Sequence, residues 1–316
     1  MIKINKLLPL LVALACNHPL MAQQDPLVSV NQENLIYYMP GSIGRLPYLV
    51  TNILYRRQWG QFQETPSLQI ANIQMPFNYK RMAIGMQFLQ ESYPGFNNKS
   101  IKLIYAYKIR FAKGRLVGGL EGGIAQSSYS LAGLLIKDDE DDLLFQQNYR
   151  LAPDVGLGLF YYDSKFELGG SIKHINRPRL DENAPYSNIK AHYYAYASRK
   201  FILSNNYNLR PYALLRYPGG NKLTADLSIE LGFKEYFNIS MGIRSQKQLV
   251  FQTSVSLDRV VNSSQVHYNL NYSYDFATYS NTHLSSNELM LTIKFQKRPD
   301  PSRIRKRNRI SSPLLF

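Results

Sequence analysis

The sequence predicts an all-β protein: a transmembrane antiparallel β-barrel of about 14 strands with both termini in the periplasm. Three observations carry this. Apolar and polar residues alternate with a period of two from about residue 46 nearly to the end. Tyr is abundant, 24 residues against 15 Phe and 1 Trp, and suits a boundary where one end of a side chain meets oil and the other meets water. Hydrophobic residues make up 45% of the 316, yet the mean hydropathy is below zero, too polar for a bundle of membrane helices.

In chain order, Lys3 and Lys6 precede an apolar run, Leu7 to Ala15, that is too short to span a bilayer. Residues 1–22 are expected to be a signal peptide cut after Ala22. Cys16 is the single cysteine. It leaves with the signal under this reading; lipidation at Cys16 is the rival, weakened because Ala13 stands where a lipobox prefers Leu. Without it the mature chain has no thiol or disulfide, which is compatible with the cell envelope. Residues 23–45 are expected to be an N-terminal periplasmic segment, 46–296 the barrel, and 297–316 a basic tail.

Within the barrel, Leu223, Ala225, Leu227, Ile229, Leu231 and Phe233 share one face, and Thr224, Asp226, Ser228, Glu230 and Gly232 the other. Leu249 to Asp258 and Val266 to Asp275 repeat the rule, as do Ile101 to Arg110 and Val155 to Tyr162. Expected strands are 46–57, 66–74, 80–89, 99–110, 115–129, 153–162, 165–174, 190–199, 207–217, 223–233, 236–245, 248–258, 264–274 and 286–296. The alternation weakens at 66–74, 115–129 and 190–199, where bulges or register changes are expected, and Pro211 points to another bulge. Unsatisfied backbone groups are costly in hydrocarbon, so the sheet must close, with apolar rows toward lipid and polar rows toward the lumen. Glu121, Glu167, Lys173, Asp226, Glu230 and Arg244 fall on lumen rows, and their mixed signs predict internal ion pairing. Long connections (58–65, 90–98, 130–152, 175–189, 275–285) alternate with short ones, apart from the short exceptions 218–222 and 246–247, as in barrels with long outer loops and short periplasmic turns.

The net charge is +15, with seven basic residues between Lys297 and Arg309 against Asp300. Such an excess favours anionic lipid or acidic partners, and export argues against nucleic acid.

Gln23-Gln24-Asp25-Pro26, Leu54-Tyr55-Arg56-Arg57-Gln58-Trp59-Gly60-Gln61-Phe62, Tyr272-Ser273-Tyr274-Asp275-Phe276 and Asn287 to Phe295 occur in this order. Together they resemble the PorP/SprF family of Bacteroidetes outer-membrane proteins over almost all of residues 23–295. The departures are the displaced Pro40 in Asn34 to Ser42, where the family has Asn-Pro-x-x-x-Gly, and the long basic tail. The resemblance implies participation in type IX secretion, by assisting export or by holding a secreted adhesin at the surface, often in gliding motility, together with other secretion components.

Two partner sites are expected. Asp138, Asp139, Glu140, Asp141 and Asp142 lie in the longest outer loop between apolar flanks. They read as a docking hook or a hard-cation site, against a plain solvated loop tip; no calcium-loop spacing is present. Arg56, Arg57 and Trp59 close the first strand near the outer rim, where they would meet lipopolysaccharide head groups or loop carboxylates, or serve only as a structural anchor. The histidines are scattered, with no Asp or Ser placed beside His267 by the pattern. No Walker loop, Rossmann glycine pattern or cysteine cluster is present, so neither an enzyme nor a cofactor is expected. A solute-conducting porin shares the strand pattern and is the alternative.

Overall fold

Alternation turns every other side chain to the same face, and the strands follow it closely. The computed structural model describes residues 25–60, 65–77, 81–129, 148–179, 189–219, 222–234, 236–261, 265–278 and 284–295. The expected signal peptide, Cys16, the acidic run at 138–142 and the basic tail lie outside the described residues.

The strands are β1 (Leu49–Gln58), β2 (Ser67–Phe77), β3 (Met82–Tyr93), β4 (Phe96–Arg110), β5 (Arg115–Tyr129), β6 (Asn148–Tyr162), β7 (Phe166–Lys173), β8 (His192–Arg199), β9 (Phe201–Ile202), β10 (Tyr207–Pro218), β11 (Thr224–Phe233), β12 (Phe237–Arg244), β13 (Gln248–Ser256), β14 (Val266–Ala277) and β15 (Ser285–Phe295). Neighbours pair antiparallel, and β15 returns to β1 from Leu49↔Phe295 to Gln58↔Ser286, which closes the sheet on itself.

β8 and β9 are one strand interrupted at Lys200. Both pair with β10 in a single register, Tyr212 opposite Ser198 and Leu209 opposite Phe201. The break faces Pro211, which has no N–H to give the ladder. The Lys200 N–H turns instead to the Lys165 carbonyl at 2.6 Å. Pro211 therefore makes a gap without a change of register, not the expected bulge, and the cylinder has the expected 14 strands.

The bulges expected at 66–74, 115–129 and 190–199 are also absent: these strands pair one-to-one with both neighbours. The alternation weakens there for another reason. Leu68, Ile70, Val117, Tyr194 and Tyr196 point inward and are buried against apolar residues of the 25–45 segment. That segment, expected as a periplasmic lead-in, is packed inside the cylinder.

The outer face is apolar. Leu103 is 66% exposed, Met241 59% and Ile229 55%, which a soluble surface does not sustain around its whole girth. Exposed aromatics mark both ends: Tyr55, Trp59, Phe96, Tyr193 and Tyr217 at one, Phe111, Phe166, Phe201, Tyr207, Phe233 and Phe295 at the other. These are the two interfacial girdles of a membrane barrel. Among the described residues no helix is long and apolar enough to cross a membrane.

Connections β1–β2, β5–β6, β7–β8 and β14–β15, with the two longest among them, leave from one end of the cylinder, and the nine-residue β13–β14 connection is the long one at the other. The start of β1 and the end of β15 lie at the other end, with short turns such as 111–114 and 163–165. The expected long loop at 90–98 is instead a two-residue turn at Pro94-Gly95, because β3 and β4 run on to Tyr93 and Phe96. Gly95 takes φ 77°, which that tight turn requires.

Replacing the mid-strand, outward Ile229 by Arg should destabilise the barrel by about 2–4 kcal/mol, the cost of a basic side chain on the lipid face near the midplane. Urea titration of the protein refolded into lipid vesicles reads this, and Ile229→Leu should be near neutral.

Candidate functional site in the plugged lumen

The segment before β1 has little regular structure of its own. It contains one helical turn, α1 (Leu35–Tyr38), and a 3-10 turn at Pro40–Ser42, with Pro40 at its first position. What orders it is the wall. Val28, Val30, Leu35, Ile36, Tyr37, Tyr38, Met39 and Ile43 are all buried, and they join wall residues such as Leu54, Ile104, Phe160, Leu214 and Met290 in one apolar cluster.

The plug runs the length of the bore. Asp25 sits at the end with the long connections, beside His174 and His192, which flank the β7–β8 connection. Gly44 and Arg45 sit toward the other end: the Gly44 carbonyl accepts from Lys108 Nζ at 2.9 Å, and Arg45 pairs with Glu167 at 2.8 Å. Between them Lys173 Nζ donates to the Tyr37 carbonyl (2.9 Å), Ser171 Oγ to the Tyr38 carbonyl (2.6 Å), and Asn72 Nδ2 to Asn34 Oδ1 (2.7 Å). The turn at Pro40-Gly41 presses on wall glycines. A Cβ at Gly119 would lie 2.4 Å from the Gly41 nitrogen, so the wall must be bare there.

Ser29 docks into the densest charge cluster. Its N–H and that of Val30 donate to the two Glu288 carboxylate oxygens at 2.9 and 2.8 Å. Ser29 Oγ donates to Asp275 Oδ2 at 2.6 Å and accepts from Arg56 at 3.0 Å and Arg244 at 3.2 Å. Arg56 also bridges Asp275 (2.8 Å) and Glu288 (3.1 Å), while Arg244 and Arg216 both engage Asp226. Three guanidinium groups thus meet three carboxylates, all buried, and the charges cancel. The internal ion pairing expected from the lumen rows is present, but half of its logic is the plug.

A second cluster spans β4 to β8. Lys102 bridges Glu121 (3.0 Å) and Asp154 (2.7 Å). Asp154 also meets His174 Nδ1 at 2.9 Å, and His174 Nε2 meets Asp25 at 2.9 Å. Cavities left between plug and wall are small. The one bounded by Val30, Glu230 and Gln252 has about 20 Å³, room for a water molecule and not for a solute.

The predicted partner residues separate. Arg56 is not at the lipid rim: it faces the lumen, 2% exposed, and its charge is spent on Asp275 and Glu288. Its neighbour Arg57 faces outward, donating to Thr65 at 3.0 Å. Trp59 is exposed at the same end and turns the chain out of β1 with φ 51°. Sequence reasoning missed four residues that matter. Ser29 and Asp25 carry no signal in a segment without periodicity. His174 and His192 flank one connection between adjacent strands, and that adjacency was the available clue. His267 does have a carboxylate beside it: Asp258, in the short helix α2 (Asp258–Val261), lies 2.8 Å from Nδ1. Partial burial opposes ionisation of Asp258, but the His267 hydrogen bond and the Tyr268 N–H outweigh it and hold its pKa below the usual carboxylate value.

A closed antiparallel cylinder with an apolar outer belt, two aromatic girdles and a charged interior is an outer-membrane β-barrel. Solved structures agree on the fold. The chain is similar to the CymD monoaromatic hydrocarbon channel (TM-score 0.53, 11% identity, 88% of this chain and 97% of that one). It is also similar to a Pseudomonas aeruginosa FadL homologue (TM-score 0.50, 8% identity, 84% and 94%) and to the Ralstonia pickettii toluene transporter TbuX (TM-score 0.50, 9% identity, 84% and 93%). No curated protein sequence matches the chain. The family model for the type IX secretion system membrane protein PorP/SprF matches residues 20–295, and the chain belongs to that family.

Glu288→Ala should cost about 3–5 kcal/mol of stability, because it strands a buried guanidinium and the two plug N–H groups. Urea unfolding measures the loss. Hydrogen exchange at the Ser29 and Val30 amides should accelerate more than exchange in strands far from the cluster.

Proposed function

We propose that this type IX secretion barrel assists the export of a secreted surface protein of the adhesin type, or holds it at the cell surface, and that it neither conducts solutes nor catalyses a reaction. The observation that carries the reading is the filled bore. Residues 25–45 run its length and are tied to the wall by backbone and side-chain hydrogen bonds, so the barrel offers its rims to partners. The end with short turns faces the periplasm and the end with long connections faces outward, as the general asymmetry of bacterial barrels requires.

On this reading the outer rim is the contact surface. The β5–β6 connection, which carries Asp138, Asp139, Glu140, Asp141 and Asp142, leaves from the same end as Arg57 and Trp59. The acidic run docks a basic surface of the partner, and Arg57 with Trp59 seats the rim among lipopolysaccharide head groups. Arg56 takes no part, because its charge is already paired inside. Other components of the secretion machinery meet the barrel from the periplasmic side.

A strain lacking the gene should lose one or a few large proteins from its surface, read by proteomics of cells and medium. Replacing the five acidic residues by Asn and Gln should reproduce that loss at an unchanged barrel level. Unaltered secretion and display in the deletion strain would overturn the proposal.

In planar bilayers the intact protein should be electrically silent, and a variant lacking residues 25–45 should give conductance steps. Stable single-channel steps from the intact protein would favour a porin instead.

A further inference from the structure

We propose that Asp25, His174 and His192 form a divalent metal site, suited to zinc, that fastens the plug to the barrel wall at the end carrying the long connections. The proposal stands apart from the role of the barrel in secretion and holds or fails without it.

The ligand set is assembled by the topology. β7 and β8 are antiparallel with Lys173 opposite His192, so His174, one residue past β7, lies against His192 at the start of β8. Their rings meet edge to face, with centroids 5.4 Å apart at 81°. The Asp25 carboxylate enters between them from the plug. Oδ1 lies 2.9 Å from His174 Nε2 and Oδ2 lies 3.1 Å from His192 Nδ1. One ligand atom from each residue falls within 4.8 Å of the other two. Zinc bonds of about 2.0–2.2 Å in a tetrahedron put ligand atoms roughly 3.3 Å apart, between the 2.9 and 3.1 Å contacts to Asp25 and the 4.8 Å within which the three ligand atoms fall.

Three further observations point to a cation rather than to a plain hydrogen-bonded triad. His174 is already held as a metal ligand is held: Nδ1 meets Asp154 Oδ1 at 2.9 Å, which fixes the ring and leaves Nε2 for the site. His192 is 3% exposed, yet neither of its ring nitrogens has a directed hydrogen-bond partner. A buried imidazole in that condition is unfavourable, and a metal between Nδ1 and Asp25 removes half of the deficit. The cluster is also rich in carboxylates: Asp25, Asp154 and Glu121 face Lys102 and Lys173, and two of those carboxylates close on His174 at 2.9 Å, a setting that suits a divalent cation. A small cavity of about 20 Å³, lined by Asp25, His192, Tyr194 and Arg216 and reaching Pro218 and Thr224 at the rim, gives space for a water as fourth ligand and a way in. Arg216 on its far wall gives Nη2 to Asp226, and the Tyr194 hydroxyl donates to Asp25 Oδ2.

The test uses full-length protein in detergent, without a histidine tag, stripped with EDTA, reloaded with zinc chloride and desalted. Elemental analysis should find about one zinc per chain, in keeping with a single structural site. His192→Ala and Asp25→Asn should abolish retention, and His267→Ala should leave it unchanged. Asp154→Asn should weaken zinc affinity about 10- to 100-fold, the effect of losing the group that orients a ligand. Folding of each variant is read from heat-modifiable mobility on gels. Should His192→Ala not fold, the wild-type protein loaded with cobalt decides: intense tetrahedral absorption bands support the site, and the weak spectrum of aqueous cobalt overturns it. Less than a tenth of an equivalent of zinc in the wild type, or equal zinc in wild type and folded His192→Ala, also overturns it.

Discussion

A cylinder of 14 strands is too wide for its own inward side chains to fill, and everything else in this structure answers that constraint. Eight strands leave an interior that side chains close; more leave a bore. Here the bore is taken by residues 25–45, which thread it from the Asp25 end to the Arg45 end. Plug and wall are incomplete without each other. The plug has one helical turn and one 3-10 turn of internal structure, and the wall has buried Arg56, Arg244 and Glu288 that hydrogen-bond to Ser29 and Val30.

Burial of so many charges is weak evidence for stability, because desolvation offsets most of the Coulomb attraction. It is better evidence for register. Glu288 accepts from two consecutive backbone N–H groups, an arrangement that a shift of the plug by one residue would destroy. The wall glycines act in the same direction. Gly119 leaves no room for any other wall residue beneath Pro40-Gly41, so the turn has one seat. Apolar contacts hold the plug in the bore; the polar contacts and the bare glycine say where along the bore it stops.

The strands were legible in the sequence because lipid outside and polar groups inside impose a two-residue period, and residues 224–233 or 266–277 show that period without a break. It faded where the inner face meets the plug. Leu68, Ile70, Tyr194 and Tyr196 are apolar on an inward row, so the weak stretches were the imprint of a buried partner and not bulges. The plug itself has no period to read, since neighbouring residues contact different strands at different heights. Arg56 is a different case. In sequence it stands beside Arg57 at the end of a strand, but adjacent residues of a strand face opposite sides, and only Arg57 looks outward. The pairing of His174 with His192 was within reach, since both border one connection; their convergence on Asp25 was not.

The same division of faces limits how this outer-membrane protein meets other molecules. Its outward rows are committed to lipid, and its inward rows are committed to the plug. What remains is the two rims. At one rim most connections are short and the barrel strands begin and end; at the other stand Arg57, Trp59, the two longest connections and the Asp25 end of the plug. A partner bound at that second rim would touch both the wall and the segment that fills it. The contacts of Asp25 and Ser29 with the wall would then set how firmly the bound surface is presented, because those contacts join the head of the plug to β1, β7, β8, β12, β14 and β15 together.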